Sequence, residues 1–362
     1  MLLLIFFLCS CSFSQADSLT LPTLGVGADV SFIDEEEYWG VEFWDHGNKM
    51  DPLLLLANRG FTAIRLRLFV DPMAEGAQYS EQGYNTYRGI SIPFCGLERT
   101  LAMAKRVKSL GLKLLLDFHY SDTWADPKNQ HKPAQWRDLD LLQLKEKLYS
   151  YTQDSLLAFV AEGAPPDMVQ IGNEIGGGFL WDPENPQRSG ASKNWKLFTD
   201  LLNYASKAVR DTLPQAQIVI HHESTHSLTW FQGLVTSGVD FDLAGLSWYP
   251  QFGGTVSDLK ENLSRFSKEL IGKKVFIAEY SAQGKDLWEA LQRQPSDRVW
   301  GAFIWEPVNW NDPRAENLFS WQEAPQRGHH TNSLMDLYDT LFFPRENKGD
   351  QSSLPNPVRL RL

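Results

Sequence analysis

Cysteine is scarce in this chain. There are three in 362 residues, and Cys9 and Cys11 fall at the very start, leaving Cys95 alone in the body. A disulfide framework is thereby excluded, and the fold must stand on its core. Basic residues are also in short supply, 34 Lys and Arg against 45 Asp and Glu, for a net charge of -11. An acidic surface repels phosphate backbones and anionic bilayers, so nucleic acid is not expected as a partner. There is no Gly-x-Ser-x-Gly elbow, no P-loop and no glycine-rich dinucleotide fingerprint opening a helix, which argues against serine hydrolases, nucleotide enzymes and nicotinamide redox chemistry. Histidines cluster at His221-His222 and His329-His330, but not with His-Glu-x-x-His spacing. Neighbours on a strand face opposite ways, so no metal site is expected there.

What is present begins with an apolar run, Met1 to Leu8, too short to span a bilayer, then Cys9-Ser10-Cys11 and a polar stretch. Residues 1–17 read as a signal peptide, without the usual positive start. Leu8-Cys9-Ser10-Cys11 resembles a lipobox, in which Cys11 carries the lipid. The expectation is an exported protein, a cell-surface or periplasmic lipoprotein or otherwise a secreted one, touching the outer membrane only through that lipid. Thirteen tryptophans are a heavy load. Indole packs well in a core, and it also stacks on sugar rings.

No linker or composition shift divides residues 22–345; residues 346–362 form a polar, charged tail. Short apolar runs at residues 25–33, 61–70, 113–121, 167–175, 217–224, 243–250, 274–281 and 299–307 read as strands. Between several of them, residues 97–110, 138–162, 195–212, 256–271 and 287–293 repeat apolar positions at helical spacing. Gly111 and Gly163 stand where the first two of these should stop. Eight strand–helix units predict an α/β fold, a single (β/α)8 TIM barrel. A doubly wound open sheet would want a phosphate loop after the first strand. Gly25-Val26-Gly27-Ala28-Asp29 lies inside that strand instead.

In a barrel the C-terminal ends of the strands form the active face, and the unusual residues fall there. The fourth run ends in Ile171-Gly172-Asn173-Glu174 and the seventh in Ala278-Glu279-Tyr280. Strands four and seven lie on facing parts of a barrel wall, so Glu174 and Glu279 can converge as the two carboxyls of a glycosidase. Each taken alone is equally an ion-pair partner. Arg65 and Arg67 share one face of the second run and fit either an arginine that holds a nucleophile ionised or a buried ion pair. Asp117 and His119 leave the third run at an unusually polar exit, and His221 leaves the fifth; each is either a contact to sugar or a structural hydrogen bond. Trp124, Trp136, Trp181, Trp248, Trp305 and Trp310 sit in or beside strand ends and together suit a groove for successive sugars.

Thr62-Ala-Ile-Arg-Leu-Arg-Leu68, Asp117-Phe-His-Tyr-Ser-Asp-Thr-Trp-Ala-Asp-Pro127, Ile171-Gly-Asn-Glu-Ile175, Gly245-Leu-Ser-Trp-Tyr-Pro250 and Ile304-Trp-Glu-Pro307 resemble the endo-β-1,4-galactanases of glycoside hydrolase family 53, in order across residues 25–310. The resemblance implies retaining hydrolysis of β-1,4-galactan, the side chain of type I arabinogalactan in pectin. It implies Glu174 as acid/base, Glu279 as nucleophile and Asn173 on the sugar's 2-hydroxyl. Arg65, His119, Tyr249 and Trp305 match its cleft positions, with Arg67 next in line for the arginine role. No cofactor is required. A structural calcium, known in some bacterial members, is not expected, because the segment after Glu279 is short here. Galactan and its oligosaccharides are the expected partners, and a monomer the expected state. The alternatives are a related barrel glycosidase acting on mannan or glucan, or a non-catalytic glycan-binding barrel.

Overall fold

The computed structural model describes residues 24–74, 93–181, 194–252, 254–281, 284–308, 318–322 and 327–342. The leader at 1–17 with Cys11, the tail at 346–362 and Trp310 lie outside them, as do both ends of the expected 22–345 domain. In chain order the elements are β1 (Gly25–Asp29), α1 (Ile33–Tyr38), β2 (Phe43–Asp45), β3 (Asn48–Lys49), α2 (Pro52–Asn58), β4 (Ala63–Leu68), α3 (Leu97–Ser109), β5 (Lys113–Phe118), α4 (Leu141–Ala161), β6 (Met168–Ile171) and α5 (Trp195–Thr212). They continue with β7 (Gln217–His222), α6 (Leu228–Thr236), β8 (Leu243–Trp248), α7 (Val256–Glu269), β9 (Lys274–Tyr280), α8 (Gly284–Gln292), β10 (Val299–Trp305), β11 (Phe319–Gln322), β12 (Gly328–Thr331) and α9 (Ser333–Phe342).

Eight parallel strands close into a barrel in the order β1-β10-β9-β8-β7-β6-β5-β4. Closure runs through β1, which pairs with β10 on one side and β4 on the other. All eight expected strands are present, which is the (β/α)8 barrel read from the sequence. The helix α5 shows how the outer ring packs: its Phe198, Leu201, Leu202, Ala205 and Val209 are buried at helical spacing. The helix stops also hold. Gly111 and Gly163 follow α3 and α4 with φ of 73° and 71°, left-handed conformations that cost glycine little. At the other end of α4, Asp140 and Gln143 make a reciprocal capping box.

Two features differ from expectation. The strands end earlier than their apolar runs, because Tyr120, Glu174 and Glu306 take positive φ (50°, 50° and 41°) and turn the chain out of the sheet at the mouth. A four-stranded side sheet, β11-β12-β2-β3, also decorates the seam between the first and last units. Its strands are two to four residues long, too short for alternation to announce them.

Candidate active site

Inside the barrel the side chains stack in layers set by the period of two along each strand. Ala63, Leu115, Met168, Val219, Leu243, Phe276, Ala278 and Phe303 form a separate apolar cluster. Two residues further along four of these strands the chemistry changes: Ala63 gives way to Arg65, Leu115 to Asp117, Met168 to Gln170 and Val219 to His221, all buried. The barrel is therefore an apolar plug with a polar floor above it.

Arg65 is the hub of that floor. Its Nη1 donates to Asp29 Oδ2 at 2.7 Å and Glu279 Oε1 at 2.8 Å. Its Nη2 donates to Asp117 Oδ2 and Asn173 Oδ1, both at 2.8 Å, and its Nε to Gln170 Oε1 at 3.2 Å. One planar fork thus satisfies acceptors from β1, β5, β6 and β9 as well as Asn173, which lysine's single nitrogen cannot do. Burial works against Arg65's charge, but the carboxylates of Asp117, Glu279 and Asp29 more than compensate and raise its pKa further. Burial alone would raise Asp117, yet Arg65 and His119 bring it below the usual carboxylate range. His119 accepts Ala125 N–H on Nδ1 (2.8 Å), so its proton sits on Nε2 and points at Asp117 Oδ2 (3.0 Å).

Glu174 and Glu279 face the same cleft. Glu279 is held at both oxygens, by Arg65 on Oε1 and by the Tyr249 hydroxyl on Oε2 at 2.7 Å. Glu174 has a lighter hold, with Ser247 Oγ 2.6 Å from its Oε1. Burial raises both carboxyls, but unequally. Glu174 rises well above its ordinary value, by desolvation and then by the charge of Glu279. The rise of Glu279 is opposed by Arg65 and by Tyr249, whose own hydroxyl burial keeps protonated. The pair therefore shares a proton that resides on Glu174, with the negative charge on Glu279.

The cleft has a volume of about 620 Å³. Of the residues expected from the sequence, Trp124, Asn173, Glu174, Trp248, Tyr249, Glu279 and Trp305 line it. Arg65, Asp117, His119 and His221 do not; they lie buried in or against the polar floor, beneath the lining residues. Arg67 is likewise absent from the lining. It pairs with Glu306, and its Cζ lies 3.9 Å from the Trp124 ring and 4.7 Å from Phe32, so it braces the cleft wall from behind. Arg67 lies two residues further along β4 than Arg65, one layer above it. Trp181 pairs through its backbone with residues 130–132 and is not among the cleft-lining residues. Trp136, also expected at a strand end, is buried in core.

Several contributors were missed. Asp29, Gln170 and Ser247 are in phase with the polar layer and ordinary in sequence. Glu223 lines the cleft and accepts the Gly176 N–H at 3.0 Å, an approach open only because a side chain at Gly176 would strike that carboxylate. Phe252, 75% exposed, stands on the rim edge-on to Tyr249 at 6.0 Å, and no periodicity marks it. β9 ends at Tyr280 and α8 begins at Gly284. Among the described residues no group of three or more His, Cys, Asp or Glu side chains is arranged around a metal position.

Residues 25–286 match the model of "Glycosyl hydrolase family 53". An arabinogalactan endo-beta-1,4-galactanase of Cellvibrio japonicus is 37% identical over 63% of this chain and 57% of its own length. An endo-beta-1,4-galactanase of Bacillus subtilis is 33% identical over 70% of this chain and 56% of its own. This chain thus spans little more than half the length of those two relatives. Among solved structures, the Ignisphaera aggregans GH53 catalytic domain superposes with a TM-score of 0.74 at 30% identity, covering 90% of this chain and 98% of that one.

Proposed function

Because the chain belongs to glycosyl hydrolase family 53, we propose that it hydrolyses internal β-1,4-galactosidic bonds of galactan, as in type I arabinogalactan, by a retaining double displacement. The observation that carries this is the unequal treatment of two carboxyls in one cleft. Glu279, ionised and gripped at both oxygens by Arg65 and Tyr249, is the nucleophile. Glu174, kept protonated by burial and by the charge of Glu279, is the acid/base.

In the first step a Glu279 oxygen bonds to the anomeric carbon while Glu174 delivers its proton to the departing glycosidic oxygen. In the second, Glu174, now a carboxylate, takes a proton from water as that water displaces Glu279. The charge left on Glu174 is tolerable at that moment because Glu279 is neutralised by its bond to sugar. Asn173 gives one Nδ2 hydrogen to Ala125 O (2.8 Å) and has the second to offer the sugar's 2-hydroxyl. Trp124, Trp248 and Trp305 supply the apolar faces on which galactose rings rest.

No cofactor enters this chemistry. Export through the apolar leader, with Cys11 lipidated, and action as a monomer on the polysaccharide complete the proposal; the mass of the mature N-terminus tests the lipid. For the activity, purified protein is offered galactan, mannan and β-1,4-glucan, and early products are read by NMR. Release of β-anomers from galactan is expected, with Glu174→Ala and Glu279→Ala each lowering kcat by about 10³-fold or more. Full activity in both variants, or α-anomers first, overturns the assignment.

A further inference from the structure

We propose that Ser247 and His221 form a directional hydrogen-bond relay that keeps the proton on Glu174 in the resting site and lets it return after each turnover. It rests on the reading of Glu174 as acid/base and adds two positioning residues to it. The direction follows from which atoms are obliged to donate. Arg65 Nη2 only donates, so the Asn173 atom 2.8 Å away is its oxygen, and the Asn173 nitrogen gives its hydrogen to Ala125 O. That oxygen also lies 2.9 Å from His221 Nδ1. An amide oxygen has no hydrogen to donate, so Nδ1 carries the proton.

Gln170 Nε2 lies 3.3 Å from the same Nδ1, but its hydrogens have closer uses on Asp117 Oδ1 at 2.6 Å and Gly172 O at 3.1 Å. His221 is fully buried, and burial together with Arg65 keeps the ring neutral. With its one proton on Nδ1, Nε2 presents a lone pair to Ser247 Oγ at 2.9 Å, and the hydroxyl must donate there. A hydroxyl has one hydrogen. Toward Glu174 Oε1, 2.6 Å away, Ser247 is therefore an acceptor, and the proton between them belongs to the carboxyl.

Ionising Glu174 breaks this order. The Ser247 hydroxyl must turn to the carboxylate, and His221 Nε2 loses its donor in a buried site. A Ser247 hydroxyl that donated to Glu174 would lower its pKa; by drawing that hydrogen to His221 the relay withholds this relief and leaves the acid under the upward pressure of burial and of Glu279, Glu223 and Asp126. A second proton on His221 is disfavoured first by burial and then by Arg65, His222 and His119, against the attraction of Asp117. During turnover no proton travels along the relay. Glu174 loses its proton to the glycosidic oxygen, the hydroxyl rotates to meet the new charge, and it rotates back when Glu174 takes a proton from water.

Two measurements test this. Long-range 1H–15N NMR of histidine-labelled wild-type protein at pH 6 should show His221 neutral with its proton on Nδ1. An Nε2–H tautomer or an imidazolium overturns the relay, and no variant is needed to learn it. His221→Phe removes the acceptor and frees the hydroxyl for the carboxylate. It should move the alkaline limb of kcat/KM on galactan down by about one pH unit. In a Ser247→Ala background the same change should leave the limb where it is. An unmoved limb, an upward move, or an equal shift in both backgrounds refutes the proposal. Full activity of Glu174→Ala would instead remove the acid/base reading while leaving the tautomer untouched, so the two failures are distinguishable.

Discussion

Arg65→Lys keeps a positive charge at the centre of the polar floor and removes the fork. The arginine makes five contacts from three nitrogens, and a lysine has one nitrogen with three hydrogens. At best two of the five bonds are lost. The losses are uneven: Asp117 keeps His119 and Gln170, and Asn173 Oδ1 keeps His221, but Glu279 Oε1 has only Arg65 in the pattern described here. Two to three unmade buried bonds to charged or polar acceptors cost about 3–5 kcal/mol. Urea unfolding at pH 7 should show that loss as a lower midpoint with an unchanged slope. The deficit should also depend on pH in one direction. Arg65 holds Asp117 below its unfolded value, so this contribution is present above about pH 4 and is lost as pH falls through the folded-state value. Wild type and variant should converge on the acid side. On galactan, kcat should fall by about 10–10²-fold with KM nearly unchanged, because Arg65 holds Glu279, the proposed nucleophile, from below and does not line the cleft. A rise in KM alone at full stability would refute this, and would return Arg65 to direct contact with sugar.

Glu174→Gln should be inactive yet more stable than wild type at pH 7–8, by about 1–4 °C in Tm. The folded protein holds the Glu174 proton to higher pH than the unfolded chain does, so wild type loses stability as pH rises from the unfolded value near 4 to the folded one. Glutamine does not titrate; calorimetry should show its advantage shrinking toward pH 4, and an equal advantage at pH 4 and 8 contradicts the account. Phe252→Ala should raise KM on galactan about three- to tenfold, since a rim aromatic contributes about 1 kcal/mol to a stacked ring. Being exposed, it should change stability by less than about 0.5 kcal/mol. Initial-rate kinetics on long galactan decide it, and an unaltered KM removes Phe252 from the binding surface.

The barrel was legible because its signal is repeated. Eight runs of the right length, with amphipathic helices between and glycine stops at Gly111 and Gly163, leave few folds that bury every apolar face at once. Glu174 and Glu279 were legible for a related reason: each is a charge placed where an apolar strand ends, and topology brings those ends to one mouth. The side sheet was not legible, because its strands are too short to carry a period. Nor was Phe252, whose position depends on a three-residue turn, Pro250–Phe252.

Phase put Arg65 and Arg67 on one face of their strand, and position put Asp117 and His221 at strand exits, but such a residue in a barrel faces either the cleft or the floor beneath it. Only the packed structure separates them, because depth depends on the stagger between strands, which no single strand encodes. The same holds for Arg67, one layer from Arg65 in sequence phase and behind Trp124 in space. The linear chain determined the fold and which two carboxyls, Glu174 and Glu279, meet in one cleft, since strand-end position follows from local pattern. The tertiary structure decided which of them holds the proton. That depends on Arg65, His221, Ser247 and Tyr249 converging from three different strands or their ends, β4, β7 and β8, at distances set by the closure of the barrel.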